Sequence, residues 1–199
     1  MEQHSQTRDT PEARRVLESQ LRECFGRVAY SHKTHEKGVD ILLRQLCGIK
    51  LWQVVLSAVT TAGLIWIWFG GGRLGSILSA LVSTVLLALN LYAQSMNLGE
   101  QAHKHRQTAS NLWLIREKYL TLLTDVAMGE KPLEGLQTER DKILNELHAI
   151  YSNAPSTTSK AYMAAQKALR ADEDLTFSDK EIDVMLPEDL RRTKRSQSN

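Results

Sequence analysis

Between residues 51 and 99 the chain carries one charged side chain, Arg73, although 24% of the whole sequence is charged. Two apolar runs fill this stretch: Leu51 to Phe69 (LWQVVLSAVTTAGLIWIWF) and Leu74 to Ala93 (LGSILSALVSTVLLALNLYA). Only Gly70, Gly71, Gly72 and Arg73 separate them. A helix needs roughly 20 apolar residues to cross the hydrocarbon core of a bilayer. Each run meets that length, and three successive glycines break any single helix through both. The pattern predicts a transmembrane hairpin. The competing arrangement is a buried helical hairpin in a soluble protein, and these runs lack the polar face that it requires.

Chain averages conceal this feature. Mean hydropathy is −0.31, pI is about 8.5 and formal net charge is +2. The first fifty residues are polar, with no apolar stretch behind a basic start. No cleaved signal peptide is expected, and the first span itself directs insertion. Nine Lys/Arg precede the hairpin, one lies in its loop and fifteen follow it. The positive-inside rule places both termini in the cytoplasm and the loop outside. Trp66 and Trp68 mark the outer end of the first span, and Trp52 and Tyr92 the inner boundary. Such aromatics belong to interface belts or pack on neighbouring helices. Cys24 and Cys47 fall on the cytoplasmic side and are expected to be reduced.

The remainder reads as helix. Thr10 and Pro11 suit an N-cap and a first helical residue. Leu17, Leu21, Cys24 and Val28, then Val39, Leu42, Leu43 and Leu46, recur at helical spacing, so one or two helices lead into the first span. The second span meets no breaker before Gly99. Leu112, Ile115, Tyr119, Leu122 and Val126 form an amphipathic stripe ended by Gly129 and Pro132. Further helices are expected over Leu136 to Tyr151, over Lys160 to Ala171 with Thr158 or Ser159 as cap, and from a Ser178/Glu181 capping box to about Leu186. The basic tail with Arg191, Arg192, Lys194 and Arg195 is disordered by composition. It either contacts anionic lipid or is simply solvated.

Reactive chemistry is not encoded. There is no GxxxxGK[ST] and no GxGxxG after a strand. No Ser/His/Asp or Cys/His arrangement supports a nucleophile. The expectation is a protein without catalytic residues, cofactor or metal, and not an enzyme. His32, His35, His103 and His105 gather at the inner membrane edges with Glu36 and Glu100. A metal or pH-sensing site would need the four histidines to converge with Glu36 or Glu100, and residues 103 and 105 point apart on a helix.

The spans carry the more telling polar pattern. Ser76, Ser79, Ser83 and Asn90 lie at helical offsets on one face of the second span. Gln53, Ser57 and Thr60 or Thr61 mark a comparable face of the first. Polar groups that deep in lipid face protein or water. Two readings stand: helix–helix contact through the small-residue line Gly75, Ser79 and Ser83, or the lining of a pore built from several copies. Neither span holds a charged ring for selectivity.

The stretches AYSHKTHEKGVDILLRQL (29 to 46), EQAHKHRQTASNLWLIREKYLTLLTD (100 to 125), ERDKILNELHAIYSNAPSTTSKAYMAAQKAL (139 to 169) and LTFSDKEIDVMLPEDLR (175 to 191) resemble the SLATT domain family. These are two-transmembrane effector domains associated with SMODS and SLOG. The resemblance spans about 12 to 191. It implies a bacterial membrane effector of nucleotide-signalling, CBASS-like anti-phage defence. Such an effector oligomerises to form a pore or disrupt the inner membrane, causing abortive infection. It implies a nucleotide second messenger or its synthetase as partner, but supplies no residue-level ligand motif and no catalytic residues.

The expected fold is all-α: an integral membrane hairpin with long cytoplasmic helical extensions forming a bundle. The expected organisation is a helical arm over 1–50, the hairpin over 51–93 with spans 51–69 and 74–93, and a helical hairpin over 94–152. Short helices over 153–190 and the tail over 191–199 follow. The expected location is the bacterial inner membrane, multi-pass, with both termini cytoplasmic. Expected partners are the lipid bilayer and further copies of the chain, and no nucleic acid. The alternative function is a membrane-anchored scaffold that recruits a cytosolic signalling enzyme.

Overall fold

No proline lies between Pro11 and Pro132, so nothing in that stretch removes a backbone N–H from a helix interior. The computed structural model describes residues 9–70, 72–171, 175 and 177–187. Its first helix, α1, runs without a break from Pro11–Trp68, 58 residues. At 1.5 Å per residue that is about 87 Å. The Thr10 hydroxyl accepts from the Ala13 N–H at 3.2 Å and caps its start. The arm and the first span are thus one helix.

After Gly70, at φ +90°, the chain turns into α2 (Arg73–Met96) and then α3 (Leu98–Met128). The break between α2 and α3 falls at Asn97, at φ 43°, and Gly99 is accommodated within α3. Asn tolerates the left-handed region better than most residues. Helix α3 ends at Gly129, also left-handed, and Pro132 precedes α4 (Leu133–Asn153). Helix α5 (Ser159–Arg170) is capped by Thr158, and α6 (Asp179–Met185) by the Ser178/Glu181 capping box. Among the described residues there is no strand. The basic residues Arg191, Arg192, Lys194 and Arg195 lie outside the described residues, as does Gly71.

One stripe organises the long helices. On α1 it runs through Leu17, Leu21, Val28, His35, Val39, Leu42, Leu46, Ile49, Gln53, Leu56, Thr60, Gly63 and Ile67. In its upper half the steps alternate between three and four, as ridge-into-groove packing requires. On α2 the least exposed positions are Gly75, Ser79, Val82, Leu86, Leu89 and Ala93; on α3 the stripe resumes at Leu98, Ala102, His105, Ala109 and Leu112. From Ala93 to Leu98 the step is five. That extra residue coincides with the left-handed Asn97, which keeps both helices facing α1.

Below the hairpin, α1 packs on α3 and α4 around Leu21, Leu112, Ile115, Tyr119, Leu133 and Leu136, each nearly inaccessible. Buried Ala161, Ala165 and Ala168 let α5 lie close against α1. Arg14 binds Asp9 through two 2.7 Å bonds and the Lys131 carbonyl at 2.8 Å. Asp9 also accepts from the Leu133 N–H at 3.2 Å, which ties the start of α1 to the α3–α4 turn. Lys118 pairs with Glu146 between α3 and α4.

The hairpin has the opposite surface. Its most apolar windows are almost wholly unburied, and Trp68, Phe69 and Leu74 are 88%, 82% and 77% exposed. A soluble core helix would be covered, and water does not tolerate an apolar surface of this extent. These two helices suit a bilayer, as the sequence predicts. The protein is an all-α membrane protein.

Candidate functional site

Two places combine polar groups with an unusual setting: the hairpin seam and the junction beneath it. In the seam, Gln53 donates from Nε2 to Asn90 Oδ1 at 2.8 Å. Higher up, a Cβ on Gly63 would stand 2.1 Å from Ser79 Oγ. Ser79 is buried there, and Gly63 is the residue that allows its approach. At Gly75 the demand is weaker, since an added Cβ would meet Trp66 Cδ1 at 3.4 Å, close to an ordinary contact. Small residues that let helix backbones come close are the usual means of association in lipid.

The structure therefore separates the polar span residues. Gln53, Thr60, Gly75 and Ser79 lie in or beside the seam, whereas Ser57, Thr61, Ser76, Ser83 and Asn90 are exposed. Ser76, Ser83 and Asn90 are seven apart and share one flank of α2. Asn90 and Leu86 line the same groove as Ser57, Ala58 and Thr61, so both polar lines open on one side of the hairpin. The hydroxyls of Thr60, Thr61 and Thr84 donate to carbonyls four residues back. Ser76 and Ser83 have no such bond among the described residues.

Just below the spans, α1 meets α3 through histidines. His35 Nδ1 and His105 Nδ1 are 2.9 Å apart and buried, with ring centroids at 5.0 Å. One ring must donate and the other accept, so the two hold opposite tautomers. Gly38 allows this approach, because a Cβ there would come within 3.2 Å of His105 Nδ1. Burial, with His105 and His32 nearby, pushes His35 down to about 4. Burial also lowers His105. His32 is lowered by burial against the opposing pull of Glu36, whose Oε1 lies 3.6 Å from Nε2. His32 Nδ1 is buried without a hydrogen-bond partner.

The four-histidine convergence does not form. His103 is exposed, and Glu100 pairs instead with Lys104 at 2.7 Å and with Asn97. Among the described residues no three His, Cys, Asp or Glu side chains gather as metal ligands. What remains is a neutral, hydrogen-bonded junction between the two long helices. Sequence reasoning passed over Gly38, Gly63 and Asn97. Gly63 carried a signal, since it falls on the α1 stripe; the other two needed knowledge of the facing helix.

Comparison with known proteins agrees with this architecture. No curated protein and no solved structure matches the chain. A family model matches residues 17–181, from the first turns of α1 to the start of α6. The chain belongs to the SMODS and SLOG-associating 2TM effector domain family 4, SLATT_4.

Proposed function

We propose that this membrane effector acts in bacterial anti-phage defence by oligomerising in the inner membrane and permeabilising it, which halts the infected cell. Both termini face the cytoplasm in this reading, supported by nine and fifteen Lys/Arg on the flanks against one in the loop. The mechanism is non-enzymatic. A ligand or partner with higher affinity for an open assembly shifts the population from a closed one.

The observation that carries the proposal is the polar flank outside the seam. In a lone hairpin, Ser57, Thr61, Ser76 and Ser83 face hydrocarbon, where polar groups are costly. Further copies would cover them or surround water with them. Two helices enclose no channel, so a pore needs several chains. Asn90 is a poorer target than the serines because it already accepts from Gln53 within the hairpin. Ser76→Leu combined with Ser83→Leu should abolish toxicity and depolarisation while membrane insertion persists. Unchanged toxicity in the inserted double variant would remove the flank from the mechanism.

The second reading is an anchored scaffold. It draws on the position of the fully buried core, which lies wholly outside the spans. Replacing residues 51–93 with an unrelated two-span hairpin separates the two. A scaffold survives the exchange and a permeabilising effector does not.

A further inference from the structure

The stripe of α3, continued upward from His105, Ala102 and Leu98 at steps of three and four, would fall on Leu91, Leu87, Thr84, Ala80 and Ile77 of α2. In the structure those five residues are all exposed, and the least exposed line of α2 runs instead through Ser79, Val82, Leu86 and Leu89. The single step of five from Ala93 to Leu98 makes the difference. Five residues turn an α-helix through about 500°, about 140° more than one full turn. The left-handed Asn97, at φ 43°, takes up that excess.

Polar side chains at the surface hold the broken turn. The Asn97 amide donates to Glu100, which also pairs with Lys104 at 2.7 Å. Gln101 Nε2 donates to the Met96 carbonyl at 2.6 Å. All five of these residues are exposed. Below the break α3 is pinned, because Leu112, Ile115 and Tyr119 are nearly inaccessible in the bundle core. Above it α2 is held far less. Lipid tails are as apolar as leucine, so exchanging one apolar face for another against α1 changes little. What fixes the observed face is the Gln53 to Asn90 hydrogen bond and the approach of Ser79 to Gly63. At its far end α2 joins α1 through a glycine run, and glycine has the widest choice of backbone conformation. Asparagine suits both states of the break. It tolerates the left-handed region better than most residues, and it sits in a helix at less cost than glycine.

We propose that α2 has two registers on α1 and that Asn97 is the switch between them. In the observed register Asn97 is left-handed and Ser79 is buried in the seam. In the second, Asn97 joins a continuous α2–α3 helix, α2 turns by about 140°, and Leu91, Leu87 and Ala80 take the seam. Ser79 then leaves Gly63 and joins Ser76, Ser83 and Asn90 in one polar row away from α1. The two registers stand apart from any effect on the membrane. That they gate it rests on the function proposed above, whose polar flank the turn completes.

The test is cysteine crosslinking of the full chain in membranes, with Cys24 and Cys47 replaced by serine. One reporter pairs Gln53→Cys with Asn90→Cys, neighbours in the observed register. The other pairs Gln53→Cys with Leu91→Cys, neighbours only in the second. With Asn97 intact, the first pair should react with a short bis-thiosulfonate reagent at least tenfold faster than the second. Asn97→Ala and Asn97→Gln favour a continuous helix. Each should raise the rate of the second pair relative to the first at least tenfold. Asn97→Gly, at ease in the left-handed region, should leave the relative rates as in the parent. Thermal unfolding like the parent's identifies the folded variants. Unchanged relative rates in folded, inserted Asn97→Ala and Asn97→Gln would overturn the proposal. So would a change in Asn97→Gly as large as theirs. If the registers switch as described while the Ser76/Ser83 leucine variant stays toxic, the switch stands and the permeabilising reading falls.

Discussion

The two ends of α1 are packed on the same stripe by different means. Below the membrane the stripe is filled by Leu17, Leu21 and Val28 against Leu112, Ile115 and Tyr119, all buried. Within the hairpin it carries Leu56 and Ile67 but also Gln53, Thr60 and Gly63, and it meets Gly75, Ser79, Val82, Leu86 and Leu89, most of them only partly covered. In water, burying large apolar groups drives association. In lipid that drive is missing, because the tails are as apolar as leucine, and close approach with a few polar bonds replaces it. One helix thus meets two solvents: below the membrane its stripe is closed over by large apolar side chains, and within the hairpin small and polar residues are interspersed among them.

Substitutions can break this contrast. The largest effect belongs to the bundle. Leu112→Ala removes a fully buried side chain and should lower bundle stability by about 2–5 kcal/mol. Thermal unfolding followed by helix circular dichroism would show it, with insertion of the spans unchanged. Next comes the seam. Gly63→Ala asks only that the Ser79 hydroxyl rotate away, whereas Gly63→Leu must push α2 off α1. The leucine should cost about 1–3 kcal/mol of overpacking, read as loss of a cysteine crosslink engineered across the seam. An alanine variant as disrupted as the leucine would contradict the close contact.

The histidine junction lies between the two regimes and gives a pH test. His35 is held at about 4, below its ordinary 6.5, so the folded state binds fewer protons than the unfolded state between those values. Stability should be full above about pH 6.5 and fall as the pH drops towards 4. His35→Leu should flatten that part of the profile in unfolding midpoints measured across the window. The smallest effect belongs to the single polar bond in the spans. Gln53→Leu should cost about 0.6 kcal/mol, the usual worth of an interhelical hydrogen bond in a bilayer. A steric-trap measurement of hairpin separation would detect it, and a cost of several kcal/mol would mean that the bond does more than join two helices.

Much of the fold was legible because its signals are local. Two uncharged runs of bilayer length, a threonine before Pro11, glycine at 129 and the Ser178/Glu181 box each act within a few residues of themselves. The polar span residues were also visible. Their division was not, because helical spacing shows that Ser79 and Ser83 lie near one face but not which of them meets α1. The four histidines illustrate the same limit. Spacing brought them to one level of the membrane, but only the rotation of each helix separates buried His35 and His105 from exposed His103.

Sequence alone therefore determined the helical class, the spans and the presence of an amphipathic bundle, since charge, hydropathy and caps depend on near neighbours. Tertiary structure decided which residues touch. It placed Gly63 against Ser79, Gly38 against His105 and a one-residue shift at Asn97. It also gathered Arg27, Tyr30, Tyr162 and Arg170 around one cleft from positions up to 143 apart in the chain. The physical reason is that a helix presents every residue type to every direction in turn. Only the facing helix selects which of those directions becomes an interior.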